Sequence, residues 1–135
     1  MSVKQIDPKA CFDLMRDDVA TLLIDCRSAI ECELTGVVDL SSCGKKPLFV
    51  EWTDNQNQRN TKFVDDIKSF AALDTPIIMM CRIGVRSDAA CALLAENGFT
   101  NLTNMAQGFE GRADDSGHRN SFEGWRAHNL PWVQS

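Results

Sequence analysis

The sequence lacks three features that would each assign the chain to a broad class of protein. No apolar run approaches the length of about 18 residues that a membrane-spanning helix needs, and residues 1–12 contain no apolar core of a signal peptide. The 14 basic residues are outnumbered by 19 acidic ones, which gives a net charge of −5. Nucleic acids and anionic membranes select strongly basic surfaces. We therefore expect a cytoplasmic protein that binds neither nucleic acid nor membrane.

Patterns typical of metal sites are missing too, although the chain has six cysteines. No two cysteines follow the Cys-x-x-Cys spacing, and His118 and His128 are not flanked by such a pair. Structural zinc sites usually show that spacing. In a reducing cytosol the cysteines are expected to be free thiols. We expect no metal and no organic cofactor.

What the chain does contain is an alternation of strand-like and helix-like segments. Apolar runs at 21–27 and 77–80 have the pattern of strands that are buried on both faces of a sheet. The alternation predicts an α/β fold with a parallel sheet covered on both faces, and the length fits one domain over residues 1–135. Further strands are predicted at 3–6, 36–42, 48–52 and 102–105, and helices from Asp7-Pro8 onward, at 61–73 and at 87–97.

The segment CRIGVRS, residues 81–87, joins a predicted buried strand to a predicted helix. Ligands of parallel sheets bind at the carboxyl ends of the strands. A loop that opens a helix directs free backbone N–H groups toward one point, at the positive end of the helix dipole. Gly84 lets the loop curl around an anion, and Arg82 and Arg86 add positive charge. These features favour a thiolate, so we predict that Cys81 is a reactive nucleophile rather than a buried core cysteine.

With these motifs the chain resembles the rhodanese family of sulfurtransferases in its single-domain form. The loop CRIGVRS is similar to the family's active-site loop, LLIDCRSAIE to its Asp-x-Arg motif with a following glutamate, and NMAQGFEG and GWRAHNLPW to its later segments. The resemblance implies a rhodanese-like α/β fold with a central, mostly parallel five-stranded sheet and helices on both faces. The chain departs from the family at Cys32 and at Val37-Val38, and residues 111–124 form a longer polar segment than the family has.

The resemblance also implies a mechanism. Cys81 would take sulfane sulfur from thiosulfate or a similar anionic donor as a persulfide, which is a covalent intermediate, and pass it to a thiol, cyanide or a protein acceptor. Arg82 and Arg86 would attract the donor. The outer sulfur would be held by the loop residues Arg82, Ile83, Gly84, Val85, Arg86 and Ser87.

Two other classes of function remain open. Phosphatases of the related fold place five residues between cysteine and arginine, whereas four residues separate Cys81 from Arg86. By resemblance, the shorter loop belongs with transfer of sulfur rather than phosphate; the physical reason is that a shorter loop brings the N–H groups closer to the cysteine sulfur. The alternatives are a cysteine phosphatase or arsenate reductase, and a non-catalytic module that binds an anion or a partner.

Residues near the predicted strand ends have a structural interpretation. We expect Asp25 and Arg27 to form an ion pair, together with Glu31, that supports the loop rather than takes part in the chemistry. Cys91 lies ten residues after Cys81, a helical rise of about 15 Å, so it is assigned to the core. Cys26 lies beside the expected pocket, and whether it can resolve a persulfide as a disulfide depends on geometry that the sequence does not give.

Overall fold

The computed structural model describes residues 3–134, in which strands and helices alternate. The strands are β1 (Lys4–Ile6), β2 (Leu22–Asp25), β3 (Val37–Val38), β4 (Leu48–Phe49), β5 (Ile77–Met80), β6 (Leu102–Met105) and β7 (Trp132–Val133). The helices are α1 (Pro8–Asp17), α2 (Ala29–Thr35), α3 (Phe63–Lys68) and α4 (Val85–Glu96). As predicted, α1 begins with Asp7 as its N-cap, which accepts a hydrogen bond from the Ala10 N–H, and with Pro8 in its first turn.

Five strands form one sheet in the order β1-β6-β5-β2-β4, and every pairing in it is parallel. The predicted five-stranded parallel sheet is therefore confirmed. All four residues of β5 are buried, as their apolar run predicts. The residues of β2 pair in register with those of β5, from Leu22 opposite Ile77 to Asp25 opposite Met80. The carboxyl ends of these two central strands consequently lie side by side.

Side chains of the central strands alternate between two apolar clusters, one on each face. Ile24 and Met79 face a cluster completed by residues of α3 and α4, whereas Leu23 and Ile78 face a cluster completed by residues of α1. Each fully buried side chain of this size contributes about 1.5–3 kcal/mol. This alternation confirms that helices cover both faces of the sheet. No helix in residues 3–134 is long and apolar enough to cross a membrane.

The strand predicted at 36–42 is wrong in extent and in its place in the fold. Only Val37–Val38 is a strand, and it pairs antiparallel with Trp132–Val133 in a separate two-stranded sheet. The apolar pattern of residues 36–42 cannot reveal a partner that lies so far along the chain.

Two helices differ from their predicted bounds. The helix predicted at 61–73 spans only Phe63–Lys68, and the Ser69 N–H bonds to carbonyl oxygens of its last turn. Phe63 and Ile67 are buried, but Phe70, beyond the helix end, is 43% exposed. The helix predicted from residue 87 begins at Val85 instead, directly after the left-handed residue Gly84.

Candidate active site

Cys81 directly follows β5, and its side chain is only 1% exposed. Its Sγ accepts hydrogen bonds from the backbone N–H groups of Gly84 at 3.1 Å and Ser87 at 3.3 Å. The Ser87 Oγ lies 3.2 Å from the same sulfur. Residues 81–87, singled out from the sequence, thus form a closed cradle around the sulfur, with the first turn of α4 supplying part of it.

These contacts stabilise the thiolate and lower the pKa of Cys81 to about 5. The neighbouring Cys26 thiol makes the largest contribution; burial acts in the opposite direction, and the Ser87 and Gly84 donors lower the pKa further. The Ser87 hydroxyl also bonds Asn104 Oδ1, and its single proton cannot serve both acceptors fully. We therefore assign most of the loop's effect to the two backbone N–H groups, which have no competing acceptor.

A polar residue of β6 that the sequence analysis did not single out holds the loop in shape. Asn104 is 2% exposed, and its Nδ2 donates to the Gly84 carbonyl oxygen at 3.1 Å and to Gln5 Oε1 at 2.8 Å. Because buried polar groups are costly unless they are bonded, an asparagine inside a short buried strand was the available signal. Asn104 holds the carbonyl group of Gly84, the residue whose N–H contacts the Cys81 sulfur.

Both arginines of the loop form ion pairs within the protein. Arg86 makes a bidentate pair with Glu31, with N–O distances of 2.6 and 2.8 Å, and Arg82 Nε donates to Glu110 Oε2 at 2.8 Å. Burial opposes ionisation of Glu31, yet the hydrogen bonds from Arg86 lower the pKa of Glu31 to about 2. The carboxylate therefore remains charged at neutral pH. Glu110 had no signal in the sequence, since it lies 28 residues from its partner.

Asp25 and Arg27 form the predicted ion pair, and both side chains are completely buried. Arg27 Nη2 lies 2.7 Å from Asp25 Oδ2, and the guanidinium also donates to Thr35 Oγ1 at 2.8 Å and to the Gly36 carbonyl oxygen at 2.9 Å. The inclusion of Glu31 in this pair was wrong, because Glu31 bonds Arg86 instead. The pair ties the end of β2 to the C-terminal end of α2.

A cleft of about 340 Å³ lies against Arg82 and Arg86. Its other lining residues are mostly polar and come from α2 and from the loop after β4: Ser28, Ile30, Glu31, Thr53, Asp54, Asn55 and Asn57. The polar segment at 111–124 contributes none of this lining. A larger cavity of about 440 Å³ near Arg27, Cys32 and Phe49 contains no residue of the 81–87 loop, so we place the site at the smaller cleft.

The lowered pKa of Cys81 predicts an unusual ionisation profile. The thiolate absorbance of the wild-type protein minus that of Cys81→Ser should rise with a midpoint near pH 5 and be complete by neutral pH. An ordinary cysteine has a pKa near 8.5, so only about 1% of it is ionised at pH 6.5. This measurement needs no reagent to reach the buried sulfur. A midpoint near that of an ordinary cysteine would show that the cradle does not hold a thiolate.

The chain is similar to known proteins in sequence and in fold. Residues 8–115 match the sequence model of the Rhodanese-like domain. An uncharacterised protein of Rickettsia rickettsii is 31% identical over 134 residues, which cover 98% of each chain. The crystal structure of Rv0390 from M. tuberculosis superposes with a TM-score of 0.92 at 35% identity, covering 100% of both chains. The polysulfide-sulfur transferase homodimer of Wolinella succinogenes has the same fold, with a TM-score of 0.66 at 19% identity over 98% of this chain and 80% of that one.

Proposed function

Because this chain belongs to the rhodanese-like domain family, we propose that it is a sulfurtransferase that carries sulfane sulfur as a persulfide on Cys81. The observation that carries the proposal is the cradle around the sulfur, in which two backbone N–H groups, from Gly84 and Ser87, donate directly to Sγ. Such a site stabilises negative charge on sulfur, first on the Cys81 thiolate and then on the persulfide.

The first step is an attack by the Cys81 thiolate on the outer sulfur of a donor such as thiosulfate. The sulfur–sulfur bond of the donor breaks, sulfite leaves with the electron pair, and Cys81 holds a persulfide. In the second step the thiolate of an acceptor attacks the outer sulfur, and the Cys81 thiolate is the leaving group. Its lowered pKa favours both steps, because it is ionised for the attack and departs readily.

The arginines offer unequal contacts to an anionic donor. Among the contacts of residues 3–134, Arg82 uses only Nε for Glu110, which leaves its two terminal nitrogens free, and its side chain is 44% exposed beside the cleft. Arg86 uses both terminal nitrogens for Glu31. We therefore assign binding of the donor to Arg82 and support of the loop, through Glu31, to Arg86. Asp25 and Arg27 keep their structural role beneath it.

The test is the intact mass of the protein, quenched soon after mixing with thiosulfate, mercaptopyruvate or polysulfide. Wild type should gain the mass of one sulfur atom, Cys81→Ala should gain none, and Cys43→Ala, in the half-buried cysteine after β3, should behave as wild type. No gain with any donor, or an equal gain in Cys81→Ala, would contradict the proposal. Hydrolysis of an aryl phosphate that is lost in Cys81→Ser would favour a phosphatase instead.

A further inference from the structure

Cys26 and Cys81 lie side by side on neighbouring strands. Asp25 pairs with Met80 in the register of β2 and β5, and the Cys26 N–H donates to the Met80 carbonyl oxygen at 2.9 Å, so the ladder continues past both strand ends. Neighbouring strands are about 4.8 Å apart, and cysteines joined by a disulfide have Cα atoms about 4.4–6.8 Å apart. The two side chains also point to the same face, because both belong to the same apolar cluster as Ile24 and Met79.

The two neighbouring thiols ionise differently in the reduced protein. The proximity of Cys81, followed by burial, raises the pKa of Cys26 well above its ordinary value, whereas the pKa of Cys81 is lowered. The pair thus holds one proton, on Cys26. Since Cys26 is completely buried, the group best placed to react with it is Cys81.

We propose that Cys26 resolves the persulfide on Cys81, so that the protein releases the transferred sulfur as sulfide and is left with a Cys26–Cys81 disulfide. The proposal rests on the sulfurtransferase function proposed above and adds a second outcome for the same intermediate. It is a reductive release of sulfane sulfur, which competes with transfer to an acceptor. The observation that supports the proposal is the position of the two cysteines at adjacent strand ends.

The reaction balances without an external oxidant. The Cys26 sulfur attacks Cys81 Sγ, the bond from Sγ to the outer sulfur breaks, and that sulfur leaves as HS⁻ with the proton that Cys26 carried. The outer sulfur gains two electrons, and the two cysteine sulfurs lose one each. Persulfide formation moves the negative charge to the outer sulfur, which makes Cys81 Sγ an electrophile. A small thiol or dithiol reductant then reduces the disulfide and restores the pair.

No other cysteine of the described chain is as well placed for this role. Cys91 lies inside α4, where its thiol contacts the Thr103 carbonyl oxygen and burial raises its pKa to about 12. Cys32 lies in α2 and contacts Asp25 Oδ2. Cys26 alone occupies the register position beside Cys81 among residues 3–134.

The experiment uses full-length protein loaded with thiosulfate and desalted, without acceptor or reductant. Wild type should first carry one added sulfur atom, then lose it as one equivalent of sulfide and end two hydrogen atoms lighter than the reduced protein. Trypsin should then release peptides 17–27 and 69–82 joined by a disulfide. Cys26→Ser, which replaces the thiol with a hydroxyl group that cannot form a disulfide, should keep the added sulfur and release no sulfide. Cys43→Ser, which leaves the pair intact, should behave as wild type.

The outcomes separate the two proposals. If wild type keeps the added sulfur, or if Cys26→Ser releases sulfide as fast as wild type, the resolving role is overturned while the sulfurtransferase function stands. If neither wild type nor any variant gains sulfur, the result contradicts the sulfurtransferase function, on which the resolving role rests. Should Cys26→Ser not fold, the wild-type digest decides alone: the joined peptides support the resolving role, and sulfide release without them overturns it.

Discussion

Gly84→Ala is expected to lower kcat/KM for sulfur transfer by about 10²–10³-fold, the loss that follows removal of one N–H group from a site that stabilises an anion. Gly84 has a φ of +98°, and a Cβ there would lie 2.3 Å from the Ala106 carbonyl oxygen. Since that atom is backbone, the loop must move, and the Gly84 N–H moves away from the Cys81 sulfur. Steady-state kinetics with thiosulfate as the donor gives the effect, and the midpoint of Cys81 ionisation should rise with it.

Gly117→Ala is the matched control, because it has the same backbone strain without the clash. Its φ is +83°, and a Cβ added there meets no atom within 4 Å. Both variants should lose similar stability from a left-handed alanine, about 1–3 kcal/mol, but only Gly84→Ala should lose transfer. Activity close to wild type in Gly84→Ala, or an equal loss of activity in both variants, would show that the cradle around Cys81 does not determine the rate of transfer.

Arg27→Met is expected to lower the free energy of unfolding by about 3–5 kcal/mol at pH 7, because it leaves the buried Asp25 carboxylate without its partner. Both side chains of this pair are completely buried, and Arg27 also donates hydrogen bonds to Thr35 Oγ1 and to the Gly36 carbonyl oxygen. Urea denaturation followed by fluorescence measures the change. A loss of that size is a large part of the stability of a domain this small.

Arg112→Met supplies the comparison for this prediction. Arg112 also pairs with a carboxylate, that of Glu123 at 2.9 Å, but the arginine side chain is 69% exposed. The Glu123 carboxylate is largely buried, but it keeps the hydrogen bond from the Arg112 backbone N–H in the variant, and the guanidinium that is lost lies in solvent. The free energy of unfolding should therefore fall by less than in Arg27→Met. Equal losses in the two variants would mean that burial does not set the cost of breaking these pairs.

The sequence predicts the centre of the fold better than its periphery. Residues 77–80 were identified as a buried strand without error, because buried parallel strands form continuous apolar runs. The strand at 102–105 also has its predicted bounds, although Thr103 and Asn104 are polar. The segment at 36–42 was misjudged, since the partner of Val37–Val38 is at the far end of the chain. Pairing between distant segments leaves no local pattern.

In the site, too, local contacts could be predicted from the sequence and contacts between distant segments could not. The cradle around Cys81 is contiguous in sequence, so the cysteine, Gly84 and Ser87 could be named from one loop. The ion pair from Glu31 to Arg86 spans 55 positions, and Asn104 acts on the loop from another strand. The contact between Cys26 and Cys81 depends on the register of two strands, which the apolar pattern of β2 and β5 does not fix.

The ion pairs of Arg82 and Arg86 have a consequence for how a donor arrives. At physiological ionic strength charges are screened beyond about 8 Å. At that distance each arginine and its paired carboxylate have no net charge. The molecule as a whole has a net charge of −5. The protein therefore creates no long-range field that guides an anion to the cleft. Under the proposed function, an anionic donor would reach the cleft by unassisted diffusion. Discrimination among donors would begin only at contact, with the two Arg82 nitrogens that have no partner among residues 3–134.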